Sequence, residues 1–417
     1  MYLKQLNIRL SKFCKGMGIM RLETRNKSPE GFIVIFLLFV LLLVNTLYRT
    51  TFNQLFILGD TSTTITFVLM FVLLIKSWIE RPDYTVSLNK IYLTFILLLS
   101  TYVVSFIARQ ELDIIQAFNL MVFFMFILGS IRLRWNKNYL KIGGAILSGA
   151  TLFFLLHWIF SGLPFTGFKS VFRNENYLGV LLFSMLYFNI FSIKFNSGVI
   201  RLYFTFISLS NLLLIISTGS RSVLIGLVVI LVSWIIMKSY HHLFYKLFYI
   251  IITINLLFIG IYVSIKDTFI GRFLNDLSFS IFNKNLFSGR NEIWNTVIHS
   301  ILNRPFFGYG VGIRAPDVAE TESTTHNMYL QVLLEVGLVG FILFLLFLFS
   351  IWYVLNKRLN YFVTKWSACF MLGILVYNNF ELTLMLNNYS IAAFQWLIMT
   401  IGISFIDDET ELSRVSY

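Results

Sequence analysis

The sequence predicts an all-α polytopic membrane protein with about twelve transmembrane helices, and three observations carry that expectation. Of 417 residues, 57% are hydrophobic and 13% charged, with 45 Phe and a mean hydropathy of +0.78. Apolar stretches of roughly 17–25 residues without central charges recur along the whole chain. Lys and Arg are denser in alternate connecting segments, the pattern that places short basic loops in the cytoplasm.

Taken in order, residues 1–30 form a basic segment with Lys4, Arg9, Lys12, Lys15, Arg21, Arg25 and Lys27, which puts the N-terminus inside. Spans near 31–48, 57–78, 91–108, 114–131, 142–161, 177–193, 201–217, 222–237 and 247–265 then fill residues 31–265. The first is too long for a signal peptide, and "NTLYRTTFN" after it offers no small-residue cleavage site, so it is read as a retained helix. Residues 266–327 form a long external loop, followed by spans near 328–354, 366–380 and 388–406 and a cytoplasmic tail over 407–417. Both termini are thus expected in the cytoplasm.

The net charge of +13 is accounted for by this topology and by anionic headgroups, with no nucleic acid partner required. Two cysteines, Cys14 and Cys369, are too few and too separated for a disulfide or thiolate framework. No HExxH-type spacing and no GxxxxGK[ST] loop is present, so neither a metal site nor a nucleotide is expected, and no cofactor.

Loops as long as 266–327 tend to be functional or disordered, and this one has a helical pattern. In "SGRNEIWNTVIHSILNRP" (288–305), Ile293, Trp294, Val297, Ile298, Ile301 and Leu302 recur at helical spacing, with Arg290, Asn291, Asn295 and Asn303 largely elsewhere. The pattern predicts an amphipathic helix stopped by Pro305, able to lie at the membrane surface with its polar side towards a cavity.

Three external stretches carry candidate chemistry. In "STGSRSVLIG" (217–226), Ser220 is a candidate cap for a helix opened by Arg221, where free N–H groups and the helix dipole favour an anion; a snorkelling interfacial arginine fits the same pattern. Arg290 likewise opens a predicted helix, with Ser288 or Asn291 as candidate caps. A cation there is mildly unfavourable unless an anion arrives; a solvated surface arginine is the plainer alternative. In "STTHNMYLQVLLEVGLVG" (323–340), Thr324 or Thr325 can cap span 10, which sets His326 and Asn327 at its mouth and Gln331 and Glu335 one and two turns deeper. An ionisable group inside a span faces a bundle interior or cavity and has a partner, while a capping His with a structural Gln–Glu pair is the bland reading. Guanidinium groups hold a diphosphate through paired charge-assisted hydrogen bonds, and a neutral imidazole can take a proton from a hydroxyl. Together these residues suit metal-free transfer from a diphosphate-linked donor.

The run His326-Asn327, nine residues, Gly337-Leu338-Val339-Gly340 resembles the HNx9GxxG signature of the bacterial O-antigen ligase and Wzy-type polysaccharide polymerase superfamily. "RNENYLG" (173–179), "TGSRSVLIG" (218–226), "GRNEIW" (289–294) and "NRPFFGYGVG" (303–312) resemble stretches of that family in the family's order, so the likeness covers about residues 170–345. It implies a metal-independent glycosyltransferase of the GT-C type in the cytoplasmic (inner) membrane, acting at the external face on glycans carried by a polyprenyl diphosphate. It also implies that Arg221 and Arg290 hold the donor diphosphate and that His326 activates the acceptor hydroxyl. Arg304, Arg173, Asn176, Tyr309, Asn327 and Glu335 follow as sugar or phosphate contacts. The expected function is a polymerase joining oligosaccharide repeat units of O-antigen, capsule or exopolysaccharide, with a chain-length regulator and a flippase as partners. The alternatives are a ligase that moves a finished glycan to another acceptor and, from another class, a polytopic transporter or flippase. A transporter would carry its notable polar residues near the bilayer midplane, whereas here they lie in loops and at helix mouths.

Overall fold

The computed structural model describes residues 29–80, 88–108, 114–282, 284–385 and 389–406. The tail expected over 407–417, Cys14 and residues 1–28 of the expected basic segment lie outside them. Among the described residues the chain is helical: α1 Pro29–Asn45, α2 Asn53–Glu80, α3 Asn89–Ala108, α4 Ile114–Arg132, α5 Lys137–Phe160, α6 Glu175–Phe195, α7 Gly198–Thr218, α8 Arg221–Ser239, α9 His241–Ile265, α10 Phe269–Phe282, α11 Arg290–Asn303, α12 Ala315–Val318, α13 Met328–Lys357, α14 Phe362–Tyr377 and α15 Tyr389–Ser404. Runs this rich in Phe, Ile and Val become helices because a backbone in hydrocarbon must satisfy its own N–H and C=O groups.

Nine helices among the described residues are long and apolar enough to cross a membrane: α1 to α3, α5 to α9 and α13. Three shorter apolar helices, Phe118–Arg132 within α4, α14 and α15, stand where spans 4, 11 and 12 were expected. The protein is a multi-pass, all-α membrane protein. At 16 described residues each, α14 and α15 rise about 24 Å. Span 11 stops at Tyr377, and the polar stretch from Asn378 that follows is not helical.

The chain forms two compact units, one of Met1–Leu73, Ile131–Val223 and Ser404–Tyr417, the other of Leu74–Ser130 and Leu224–Ile403. In the first, α6 is buried along most of its length between α5 and α7. Small residues allow the approach: a Cβ at Gly144 of α5 would run into the Ser192 side chain of α6. In the second, α13 is the central element, packed on α3, α11 and α14. Phe347 of α13 stacks on Trp396 at 5.5 Å and meets Phe95 edge-on at 5.7 Å.

Candidate active site

The run read as span 10 is one helix in sequence but two in geometry. Gly337 adopts φ 63°, ψ −166°, inside α13, a region open essentially to glycine alone. The break leaves backbone groups unpaired at membrane depth, and residues 305–310 fill them. Tyr309 N and Gly310 N donate to the carbonyls of Leu334 and Glu335 at 2.8 and 3.0 Å, while Leu338 N and Val339 N donate to Pro305 and Phe306 at 2.8 and 3.2 Å. Ser105 Oγ adds a bond to the Glu335 carbonyl at 2.8 Å. Gly308, at φ 67°, lies so close that a Cβ would meet the Glu335 carbonyl, and one on Gly337 would meet Phe306. The motifs "NRPFFGYGVG" and "GLVG" are therefore the two halves of one joint. Irregular backbone inside a membrane protein is tolerated where protein re-satisfies it.

The mouth of α13 is built as tightly. The cap is Asn327 and not the expected Thr324 or Thr325: its Oδ1 accepts from Leu330 N at 3.0 Å. Its Nδ2 donates to the Asn379 carbonyl at 3.0 Å, and Met328 N to Asn378 O at 2.9 Å, so the post-α14 stretch is tied to the start of α13. Thr325 instead donates its hydroxyl towards Asn327 O at 3.2 Å and Gln331 Oε1 at 3.3 Å. Between these anchors His326 is held at φ 46°, a left-handed conformation rare for a non-glycine residue. Buried neighbours hold it there, and its ring alone projects outward.

Helix α11 ends before Pro305 as expected, but its cap is Gly289 at φ 74°, not Ser288 or Asn291. Its apolar face packs on protein. Trp294, Val297 and Ile301 are buried, and Asn291 lies on that same face, while Leu302 is exposed. The fully buried Trp294 ring packs on Tyr262 at 4.7 Å and donates its Nε1–H to the Thr325 carbonyl at 2.8 Å. That bond fastens the helix carrying Arg290 to the residue before His326. A buried indole N–H needs such a partner.

Arg290 and His326, 36 positions apart in sequence, meet through a residue that sequence reasoning missed. Glu381 Oε1 accepts from Arg290 Nη2 at 3.3 Å, and its Oε2 lies 3.6 Å from His326 Nδ1. The Arg290 and Glu381 side chains are 18% and 14% exposed and His326 39%, so the imidazole opens to solvent while the pair behind it is largely covered. Phe380 lies under the guanidinium at 5.9 Å. Glu381 follows span 11 in a stretch with no family motif. A base beside a carboxylate, with a guanidinium alongside, is an arrangement for accepting a proton next to an anion.

The remaining predicted residues divide. Asn327 is fully buried, and its amide is engaged by the cap and by Asn379, on either side of the peptide that carries His326. Glu335 is fully buried, accepting at Oε1 from Gln331 Nε2 at 2.7 Å, and the same amide reaches the Ile313 carbonyl at 2.7 Å. Tyr309 donates its hydroxyl to the Ser300 carbonyl at 2.9 Å and carries the exposed Arg304 guanidinium on its ring at 4.8 Å. Arg173, Asn176 and Arg221 belong to the first unit. There Arg173 Nε donates to Thr50 O at 3.0 Å, the Asn176 N–H donates to the Asn174 cap at 2.7 Å, and Arg221 opens α8 just after Gly219 and Ser220. His157 pairs through Nδ1 with Ser170 Oγ at 2.7 Å. Outside the spans, Lys266 is bonded to Glu292, which raises the ammonium above its ordinary pKa. No group of metal-ligating side chains occurs among the described residues.

The family model described as O-antigen ligase matches residues 204–345. No curated protein matches the chain. The matched segment holds Arg221, Arg290, His326 and both glycines of the α13 signature, whereas Glu381 lies beyond it. That match, over about a third of the chain, supports an O-antigen ligase/polymerase superfamily assignment.

Proposed function

We propose that the protein is a polysaccharide polymerase of the inner membrane that joins polyprenyl-diphosphate-linked oligosaccharide repeat units at the external face. The observation that carries this reading is the Arg290–Glu381–His326 cluster at the mouth of α13. Glu381 orients the imidazole through Nδ1, leaving Nε2 as the base. The acceptor sugar's hydroxyl gives its proton to Nε2 as its oxygen bonds to the donor's anomeric carbon. The bond from that carbon to the phosphate oxygen breaks, and its electron pair leaves with the lipid diphosphate. Arg290 stabilises the negative charge that grows there. One base and an in-line displacement invert the anomeric configuration. Arg304 is a sugar or phosphate contact, with Tyr309 and Glu335 behind it. The external placement rests on the distribution of Lys and Arg, which also puts both termini inside; a flippase and a chain-length regulator are the expected partner proteins.

The ligase reading keeps the same site and is favoured by the description of the matched family model. Surface glycan from cells carrying His326→Ala, sized together with the glycan left on the carrier lipid, separates the two. Single repeat units with long chains lost identify a polymerase; long chains stranded on the carrier identify a ligase. An unchanged pattern with the variant protein present removes His326 from the chemistry.

A further inference from the structure

Helix α10 leaves an apolar face exposed. Its residues sort into three faces. Gly271, Asn275 and Ser278 pack inward, with Gly271 against the Ile265 carbonyl that ends α9, where no Cβ fits. Arg272 and Asp276 are exposed on a second face. Between them lie Phe269, Ile270, Phe273, Leu277 and Ile281, all exposed, with Phe273 at 59% and Leu277 at 46%. An apolar face this wide is not left in water.

What covers it follows from where it begins. Helix α9 exposes Ile254, Leu257 and Ile261, the lipid-facing side of a membrane span. Helix α10 starts four residues after α9 ends, capped by Thr268, whose Oγ1 accepts from Gly271 N at 3.1 Å and donates to Ile265 O at 2.6 Å. The exposed apolar surface thus continues from the end of a span onto a helix that turns away from it, with charges along one edge. That is the pattern of a helix lying in the headgroup–acyl boundary.

The inward face has a second task. Asn275 Oδ1 accepts from Leu286 N at 2.8 Å, and Ser278 Oγ donates to Lys284 O at 2.8 Å, so α10 grips the turn leading into α11. Tyr262 Oη then donates to Phe287 O at 2.8 Å, and Arg290 N to the same carbonyl at 2.8 Å. We infer that α10 is an interfacial anchor, with Phe273 and Leu277 in the acyl region of the bilayer, which holds the 284–289 turn and thereby Arg290 at headgroup depth. The anchoring stands on the structure alone; its consequence for Arg290 rests on the proposed reaction.

The test uses full-length protein carrying Cys14→Ser and Cys369→Ala, with single nitroxides at 272, 273, 276 or 277, in vesicles of phosphatidylethanolamine and phosphatidylglycerol. Collision with oxygen should exceed collision with a water-soluble nickel chelate at 273 and 277, and the order should reverse at 272 and 276. Nickel access at all four positions overturns the anchor, as does shielding of 273 and 277 from both reagents, the sign of a second protein surface. In unlabelled protein, Phe273→Glu with Leu277→Glu should lower turnover of a lipid-linked donor several-fold without moving the melting temperature. Unchanged turnover overturns the role in placing Arg290. Failure of the proposed reaction is read separately, from an unaffected glycan in His326→Ala with the depth profile intact.

Discussion

Glu381 lies within ion-pair reach of both Arg290 and His326, so none of the three side chains can be changed without altering the other two. Arg290→Lys keeps the charge but loses the planar fork that grips Glu381 with one nitrogen while presenting others to a diphosphate. Turnover of a lipid-linked donor in membranes should fall at least about tenfold, and wild-type turnover would remove the diphosphate role. Glu381→Gln preserves volume but ends the charge that orients the imidazole. The histidine then samples the wrong tautomer, and kcat should fall roughly 10²-fold or more, as when other carboxylate–histidine pairs are neutralised, with KM little changed and Glu381→Asp restoring part of the loss. An equal fall in the protein's melting temperature for Gln and Asp variants would mark the residue as structural. The candidate site was only partly legible here: Arg290 and His326 announced themselves at helix starts, whereas Glu381 had no spacing or motif to distinguish it.

At the scale of the element, the break in α13 explains why glycine stands where the apolar run would otherwise continue. Gly337→Ala meets two costs, about 1–3 kcal/mol for the backbone conformation and about 1–3 kcal/mol for the overlap with Phe306. The variant should melt lower in detergent by several degrees and lose activity, because the segment 305–310 and the mouth bearing His326 hang on the same helix. A variant that melts like the wild type would mean the break is not needed. The hydrophobic pattern showed one uninterrupted span, since residues on both sides of a kink are equally apolar. Likewise it allowed α11 a lipid-facing apolar side, because a helix face that packs on protein and one that packs on lipid read alike in sequence. Only the neighbours distinguish them, and Trp294, buried against Tyr262 and bonded to Thr325, settles the case for α11.

For the whole molecule, topology is the open consequence. If short basic loops lie inside, Glu320→Cys in the long loop should react with a membrane-impermeant maleimide in intact spheroplasts, while His241→Cys should react only after permeabilisation, each in protein lacking the native cysteines. Both residues are exposed, so access is set by the side of the membrane. The reverse labelling would turn the site towards the cytoplasm and end the proposed external reaction. The helical, multi-pass character was legible because transfer of apolar side chains into hydrocarbon is a local property, summed along about twenty residues. The sequence by itself therefore determined that this is a helical multi-pass membrane protein and which motifs resemble those of the O-antigen ligase superfamily. The tertiary structure alone decided that span 10 is broken at Gly337, that Asn327 and not a threonine caps its mouth, and that Glu381 joins Arg290 to His326. Each of those depends on groups distant in the chain meeting within a few ångströms, and no local pattern of hydrophobicity or charge encodes such a meeting.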